Sequence, residues 1–371
     1  LTADAPGLAV SWRYDAPRAR LHVSVRNDGS EAMRPAEVRL EAEVDLSAAE
    51  GWAWLHGRYM QMDALVRRFG APPEDGYDGR YVRAGGEGRT YVSRELCVLT
   101  LPSETTPSLL VGSLRMDRFF FDIEVEVDAD EEYIDLLRLN WDLEGVELDA
   151  GEELELPPVL LLDGRDPQAM VERYADEVGR EMRARVPEHV PTGWCSWYYF
   201  YGSVSEANVL ANLAEMVAEN LTVGEAHPAE YVQIDDGYQS HTGDWLVPNE
   251  KFPSGMKALA DHIHEAGYRP GLWLAPFVLN EGSAALRERP EMALKTPGGE
   301  TFFVQTWLGR CAVLDCTHPS SEAWLREVFG TVVREWGYEY LKLDALTYAA
   351  SSPATVRYHV PGTTAPANLR R

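Results

Sequence analysis

Two ionisable residues separated by one leucine, Lys342 and Asp344, close the short apolar run Tyr340-Leu341-Lys342-Leu343-Asp344. On a strand, side chains at i and i+2 project from one face. The spacing therefore aims an ammonium and a carboxylate into one pocket. Burial raises the pKa of a carboxyl and a neighbouring ammonium lowers it. A carboxylate that must stay ionised to attack an electrophilic carbon needs such a neighbour. A buried structural ion pair has the same local sequence, so other groups must decide. Asp235 and Asp236 close Tyr231-Val232-Gln233-Ile234 just ahead of Gly237, and Trp273 stands in Gly271-Leu272-Trp273-Leu274-Ala275-Pro276. Asp-Gly is also ordinary turn chemistry. Carboxylates accept paired hydrogen bonds from vicinal hydroxyls, however, and an indole face packs on the C–H face of a pyranose. Carboxylates together with tryptophan point to a sugar.

Each of these groups ends a predicted strand. From residue 192 onward, strands are expected at 193–197, 231–235, 269–275 and 339–344, and helices at about 205–219, 254–266 and 319–336. The first helix carries a Ser203/Glu206 capping box and turns Val209, Leu210, Leu213, Met216 and Val217 inward. The other two stop at Gly267 and Gly337, as glycine-capped helices do. Strand, crossover helix and parallel strand in repetition specify an α/β sheet or barrel. The C-terminal rim of such a barrel is where active sites are built. The connection at 276–318, rich in Gly, Pro and aromatics, reads as a substrate-contact loop. An eight-stranded barrel takes about 250 residues, and about 180 follow Pro191. Residues 191–371 are therefore expected to be the first half of an α/β (TIM) barrel. A chain that opens on Leu1 rather than methionine fits a shortened form.

Upstream, residues 1–160 read as an antiparallel β-sandwich domain. Leu21, Val23 and Val25 alternate with polar residues before Asn27-Asp28-Gly29. Val38, Leu40, Ala42, Val44 and Leu46 do the same, as do Phe121, Ile123, Val125 and Val127. Residues 161–190 read as a helical linker, capped by Asp166 with Pro167 in the first turn and striped by Val171, Tyr174, Val178 and Met182. The expected fold class is multidomain: a β-sandwich, then half a barrel.

Bulk properties narrow the partners. Thirty-four basic against 60 acidic residues leave a net charge of −26, which excludes a broad basic surface for nucleic acid. No run of about 18 apolar residues exists to span a membrane, and no basic-then-apolar leader opens the chain. Four cysteines (Cys97, Cys195, Cys311, Cys316) favour reduced thiols and a cytoplasmic location. Cys311 and Cys316 lack a second ligand pair for zinc. His262 and His264 face different directions on a helix. No metal or cofactor is expected. Asn220-Leu221-Thr222 reads as a chance sequon, Gly85-Gly86-Glu87-Gly88 as a turn cluster, and Asp315 as structural. Cys195 reads as a small buried thiol.

Five ordered segments carry a family resemblance. They are Gly193-Trp194-Cys195-Ser196-Trp197-Tyr198-Tyr199-Phe200, Gln233-Ile234-Asp235-Asp236-Gly237-Tyr238, Gly271 to Pro276, Arg310 before Val313-Leu314-Asp315, and Tyr340 to Asp344. Over residues 192–346 the chain resembles glycoside hydrolase family 36, the α-galactosidase (melibiase) family. The resemblance implies a retaining exo-α-galactosidase acting on raffinose- or melibiose-type sugars through a covalent glycosyl-aspartate. It makes Asp344 the nucleophile and Lys342 a lysine that hydrogen-bonds sugar hydroxyls. Asp235 and Asp236 become the pair that grips the C4 and C6 hydroxyls. It makes Trp273, Arg310 and Trp194 substrate contacts, Trp194 with Trp197 close by. The acid/base partner is expected on a later strand than the four present, and self-association through the sandwich is implied. After Asp344 the chain runs Ala345-Leu346-Thr347, unlike the best-known bacterial members. Leaving-group preference therefore stays open, as does the choice of galactose or N-acetylgalactosamine. The rival readings are a galactosyl transferase of the raffinose-synthase type, an α-N-acetylgalactosaminidase and a non-catalytic carbohydrate-binding fragment.

Overall fold

The computed structural model describes residues 7–47, 51–56, 64–69, 82–85, 88–101, 107–128, 130, 133–219 and 229–371. The sequon at 220–222 and Gly86-Glu87 lie outside these. The chain divides into two compact units. The first is residues 1–186 with 352–354 and 362–370, and the second is residues 187–351 with 355–361 and Arg371.

In the first unit, period-2 sequence becomes two antiparallel sheets. One sheet runs in the spatial order Leu8–Asp15, Arg20–Asn27, Val159–Gly164, Ser108–Ser113, Leu96–Thr100, Trp52–His56, Ala64–Arg68, with Glu153–Glu155 beside Arg20–Asn27. The other runs Glu37–Ser47, Tyr133–Asp142, Phe120–Val127, Gly88–Arg94, Val82–Gly85. Val23 and Val25 from the first sheet share a core with Ile123, Val125 and Trp141 from the second, which is how a sandwich buries its alternating faces. A single residue, Glu95, separates Gly88–Arg94 in one sheet from Leu96–Thr100 in the other. It turns this corner with φ 66°. Its N–H donates to the Phe121 carbonyl at 2.9 Å, and its own carbonyl accepts Ser113 N–H at 2.8 Å. The side chain goes inward: Oε1 accepts Phe121 N–H at 3.2 Å, and Oε2 is buried with no hydrogen-bond partner among the described residues. Burial, only partly offset by the Arg94 charge, pushes the Glu95 carboxyl up to about 8.

Residues 161–190, read above as a linker, instead supply part of a strand and a helix of this first unit. The helix Pro167–Glu181 starts as expected, with Asp166 Oδ1 accepting Ala169 N–H at 3.1 Å. It is held because Met170 and Tyr174 pack with Leu110, Leu160 and Leu162 on one sheet. Tyr174 also donates to the Ser113 carbonyl at 2.8 Å. The last turn, Ala365–Arg370, also belongs to this unit rather than to the barrel region that sequence assigned it. Its Ala365 N–H donates to Glu144 at 2.6 Å.

The second unit holds four parallel strands in sequential order: Gly193–Cys195, Tyr231–Ile234, Arg269–Leu274 and Tyr340–Leu343. The helices Glu206–Ala218, Gly255–Glu265 and Pro319–Gly330 alternate with them. This is the β-α-β repetition from which half of a barrel is made. The helix cap differs from expectation. Ser205, not Ser203, is the N-cap, and Asn208 completes the box. Ser203 is occupied in a 3₁₀ turn, and Glu206 turns outward to accept both the N–H and the hydroxyl of Ser254 (2.9 and 2.7 Å) at the start of the next helix. Val217 is 51% exposed rather than inward, because Val209, Leu213 and Met216 already fill the buried stripe. The expected loop at 276–318 contains a small antiparallel sheet of Val278–Asn280, Gly309–Val313 and Phe303–Thr306.

Candidate active site

Strand register decides which side chains can meet. Gln233 aligns with Gly271 and Gly271 with Tyr340, while Trp273 aligns with Lys342. Asp235 follows Ile234, the partner of Leu272, so Asp235, Trp273 and Lys342 form one row across the sheet. Cys195, aligned with Gln233, stands one row below on the same face. Gly271 keeps that lower row flat, since a Cβ there would lie 3.1 Å from both Gln233 and the Tyr340 ring. The opposite face carries Val232, Ile234, Leu272 and Leu274, all fully buried in the helix-side core.

The upper row closes on Asp235. Lys342 Nζ reaches across the intervening strand to Asp235 Oδ2 at 2.7 Å. The same oxygen accepts Gln233 Nε2 at 2.7 Å and the Cys195 thiol at 3.5 Å. Oδ1 accepts the Asp236 N–H at 2.9 Å, and Asp235 N–H donates to Ser196 Oγ at 2.9 Å. Asp235 is 2% exposed, so three donors on one oxygen offset its lost hydration. Burial works against the Lys342 ammonium, but the hydrogen bond and charge of Asp235 outweigh it and hold its pKa above the ordinary lysine value. The partner expected for Lys342 was Asp344. The two do share a face, yet the ammonium lies on Asp235, the nearer charge along the row.

Asp344 is held differently. Oδ2 accepts Trp273 Nε1–H at 3.1 Å and Oδ1 accepts Ala345 N–H at 2.7 Å. Its own N–H donates to the Leu274 carbonyl at 2.9 Å, extending the sheet by one residue. Ala345 then turns away with φ 57°, which ends the strand directly after the carboxylate. Trp273 is 1% exposed and packs edge-on against Trp245 at 5.8 Å. Its indole thus gives this site a hydrogen bond to Asp344 rather than an open ring face.

Asp236 occupies the turn after the second strand and accepts Gln239 Nε2–H at 2.7 Å. Burial pushes its carboxyl up against that hydrogen bond, and the Asp235 charge adds to the rise. Gly237 makes the turn with φ +119°, where a Cβ would come within 2.6 Å of the Gly202 carbonyl oxygen. That oxygen also accepts Lys251 Nζ at 2.6 Å.

Two expected contacts are not brought into this cluster. Trp194 aligns with Val232, on the face opposite Cys195. Its ring packs into the helix-side core with Phe200 at 6.4 Å. Parity places it there: Cys195 takes the inner position, so its neighbour cannot. Arg310, 53% exposed on its side chain, pairs with Glu281 at 2.8 Å and lies over the Phe303 ring at 3.9 Å. Glu281 directly follows the strand Val278–Asn280, and Phe303 opens the strand Phe303–Thr306 of the same small sheet. Asp315 behaves as a structural group. It accepts the Thr317 N–H and hydroxyl (3.0 and 2.6 Å) and the His359 N–H (2.7 Å).

Gln233, Ser196 and Gln239 were missed as functional residues. Gln233 carried a readable signal, since it stands two residues before Asp235 on the same strand face. Ser196 and Gln239 carried none, because their contacts depend on how loops close.

Known proteins resemble this chain in sequence and in fold. The melibiase family model matches residues 206–358. Over 204 residues the chain is 27% identical to the α-galactosidase AgaA of Geobacillus stearothermophilus, covering 53% of this chain and 27% of that protein. It is 26% identical over 186 residues to the myogenesis-regulating glycosidase of Mus musculus, covering 47% and 24%. These matches span only about a quarter of each curated relative. Among solved structures, the Thermus thermophilus α-galactosidase TtGalA in complex with stachyose is 26% identical with TM-score 0.57, covering 95% of this chain and 65% of that one. The glycoside hydrolase family 36 α-galactosidase AgaA of Geobacillus stearothermophilus, at 18% identity and TM-score 0.62, shares the fold over 98% of this chain and 51% of that one. The row of Asp235, Trp273, Lys342 and Asp344 lies within the stretch that matches the melibiase family model.

Proposed function

We propose that this chain carries the galactose-binding and nucleophile half of a retaining α-galactosidase site. The observation that supports the reading most is the shared face: two hydrogen-bonded pairs, Lys342 with Asp235 and Trp273 with Asp344, stand on one face of three neighbouring strands. A terminal galactose would place its C4 and C6 hydroxyls against Asp235 and Asp236, with Lys342 donating to a hydroxyl from between the two carboxylates. Asp344 would attack the anomeric carbon from below. The Asp344 oxygen–C1 bond forms as the bond from C1 to the departing oxygen breaks, giving a glycosyl-aspartate that water later hydrolyses. Trp273 Nε1–H and Ala345 N–H fix the carboxylate's orientation, so little motion is needed to reach the attack geometry. The departing oxygen also needs a proton. We assign that donor to no residue of this chain.

The test separates binding from chemistry. Calorimetric titration with galactose should show saturable binding that Asp235→Asn weakens at least tenfold. α-Galactosyl fluoride has a leaving group that needs no protonation, so the nucleophile alone should release fluoride from it. Asp344→Ala should bind galactose and release none. Fluoride release at wild-type rate by that variant would remove Asp344 from the role, and no galactose binding by the parent chain would remove the site.

A further inference from the structure

The turn that carries Asp236 is held from behind by Asn249. After the second parallel strand the chain runs out and returns alongside itself. Ser240 N–H donates to the Val247 carbonyl at 2.8 Å, Gln239 pairs with Pro248, and Asn249 N–H donates to the Tyr238 carbonyl at 2.8 Å. Asn249 then closes the excursion with its side chain. Nδ2 donates to the Gly237 carbonyl at 2.8 Å and to the Gln239 carbonyl at 3.1 Å, while Oδ1 accepts Lys251 N–H at 3.0 Å. A carboxamide brings two donor hydrogens and an acceptor together on one short side chain. Aspartate at this position would set a charge against two carbonyl oxygens, and alanine would withdraw both donors. The clamp is itself anchored, because the Lys251 carbonyl accepts Glu206 N–H at 3.0 Å at the start of a helix and its ammonium holds the Gly202 carbonyl.

The held turn sets the reach of Gln239. Its side chain is 8% exposed, with Oε1 accepting Gly237 N–H at 3.2 Å and Nε2 donating to Asp236 Oδ1 at 2.7 Å. The Gly237 N–H decides which end of that amide faces the carboxylate, so Asp236 meets a donor rather than a second acceptor. Asp235 is aimed by side chains of the sheet itself, whereas Asp236 stands on a turn and takes its aim from this relay. Resting on the galactose site proposed above, we propose that Asn249, acting through Gln239, is the positioning residue for Asp236 and sets how strongly the site selects the galactose hydroxyl that Asp236 meets. A carboxylate distinguishes a hydroxyl from a hydrogen only while it is held at hydrogen-bonding distance and angle. A turn free to shift would exchange that contact for water.

The experiment measures, by calorimetry on the whole chain, the Kd of galactose and of its 4-deoxy and 6-deoxy forms. In the parent each missing hydroxyl is expected to weaken binding by about tenfold or more, the weight of a hydrogen bond to a charged group. Asp236→Ala identifies the hydroxyl that Asp236 holds, as the one whose removal no longer matters. Asn249→Ala is expected to shrink that same penalty by about threefold or more and to leave the other within about twofold. Gln239→Met cuts the relay at its last link, leaves both backbone carbonyls on Asn249, and is expected to act alike. It decides the matter if Asn249→Ala does not fold. An undiminished penalty in either folded variant overturns the assignment. So does a parallel fall of both penalties, which would make Asn249 a general support of the loop. If the parent binds no galactose, or Asp236→Ala keeps both penalties, the galactose reading itself fails and the positioning role falls with it.

Discussion

Glu95 makes stability in the sandwich unit depend on pH in an unusual direction. Its folded pKa of about 8 stands above the ordinary value of 4.5, so the folded protein keeps a proton that the unfolded chain releases. The stabilising protonated form is therefore fully in place below about pH 4.5, and its contribution drains away as pH rises towards 8. Between pH 5.5 and 7.5 the linkage slope approaches about 1.4 kcal/mol per pH unit. Integrated across that interval, the loss is about 2–3 kcal/mol. Glu95→Gln keeps the shape and a hydrogen-bonding side chain but cannot ionise, so it removes the slope. Urea unfolding followed by far-ultraviolet circular dichroism, run on both proteins at both pH values, isolates the difference. The parent should lose about 2–3 kcal/mol relative to the variant on going from pH 5.5 to 7.5. Identical pH slopes would refute the reasoning, because they would mean that Glu95 enters the folded state already ionised and paired.

Other substitutions probe the site and its supports. Lys342→Met should leave the buried Asp235 carboxylate with no cation, held by Gln233, Cys195 and the Asp236 N–H; it should cost about 1–3 kcal/mol in unfolding free energy, below a fully enclosed pair because the lysine is partly exposed. It should also weaken galactose binding more than tenfold in titration. Gly237→Ala places a Cβ against the Gly202 carbonyl at a positive φ, and should lower stability by about 2 kcal/mol or more in a denaturant midpoint measurement. Ser205→Ala removes the capping hydroxyl of the helix Glu206–Ala218 and should cost about 1 kcal/mol, whereas Ser203→Ala should be neutral in the same assay.

What sequence revealed followed the range of each interaction. Alternation along Leu21-Val25 and Phe121-Val127 is set within single strands, and those strands form where expected. The facing of Lys342 and Asp344 follows from the two-residue period. The partner of Lys342 does not, because it is chosen by lateral register with Trp273 and the strand beyond. Trp194 and Trp197 are three residues apart, so a strand that begins at Gly193 and a helical turn that begins at Trp197 send them into different environments. The small sheet around Arg310 escaped notice because its strands are three to five residues long and lack clear alternation. Asn208 outcompeted Glu206 for the helix start because Glu206 had a better offer in Ser254.

The convergence of Lys342, Gln233 and Cys195 on a single oxygen also sets when the site loses its freedom. Three side chains from three strands surrender their rotamers as the sheet assembles, so that entropy is charged to folding. A ligand arriving later meets a carboxylate already aimed, and the free energy of its new contacts is not drained by ordering the receptor. By the same logic, a change that loosens any one of the three would make recognition weaker and more temperature-sensitive before it altered a single contact to the sugar.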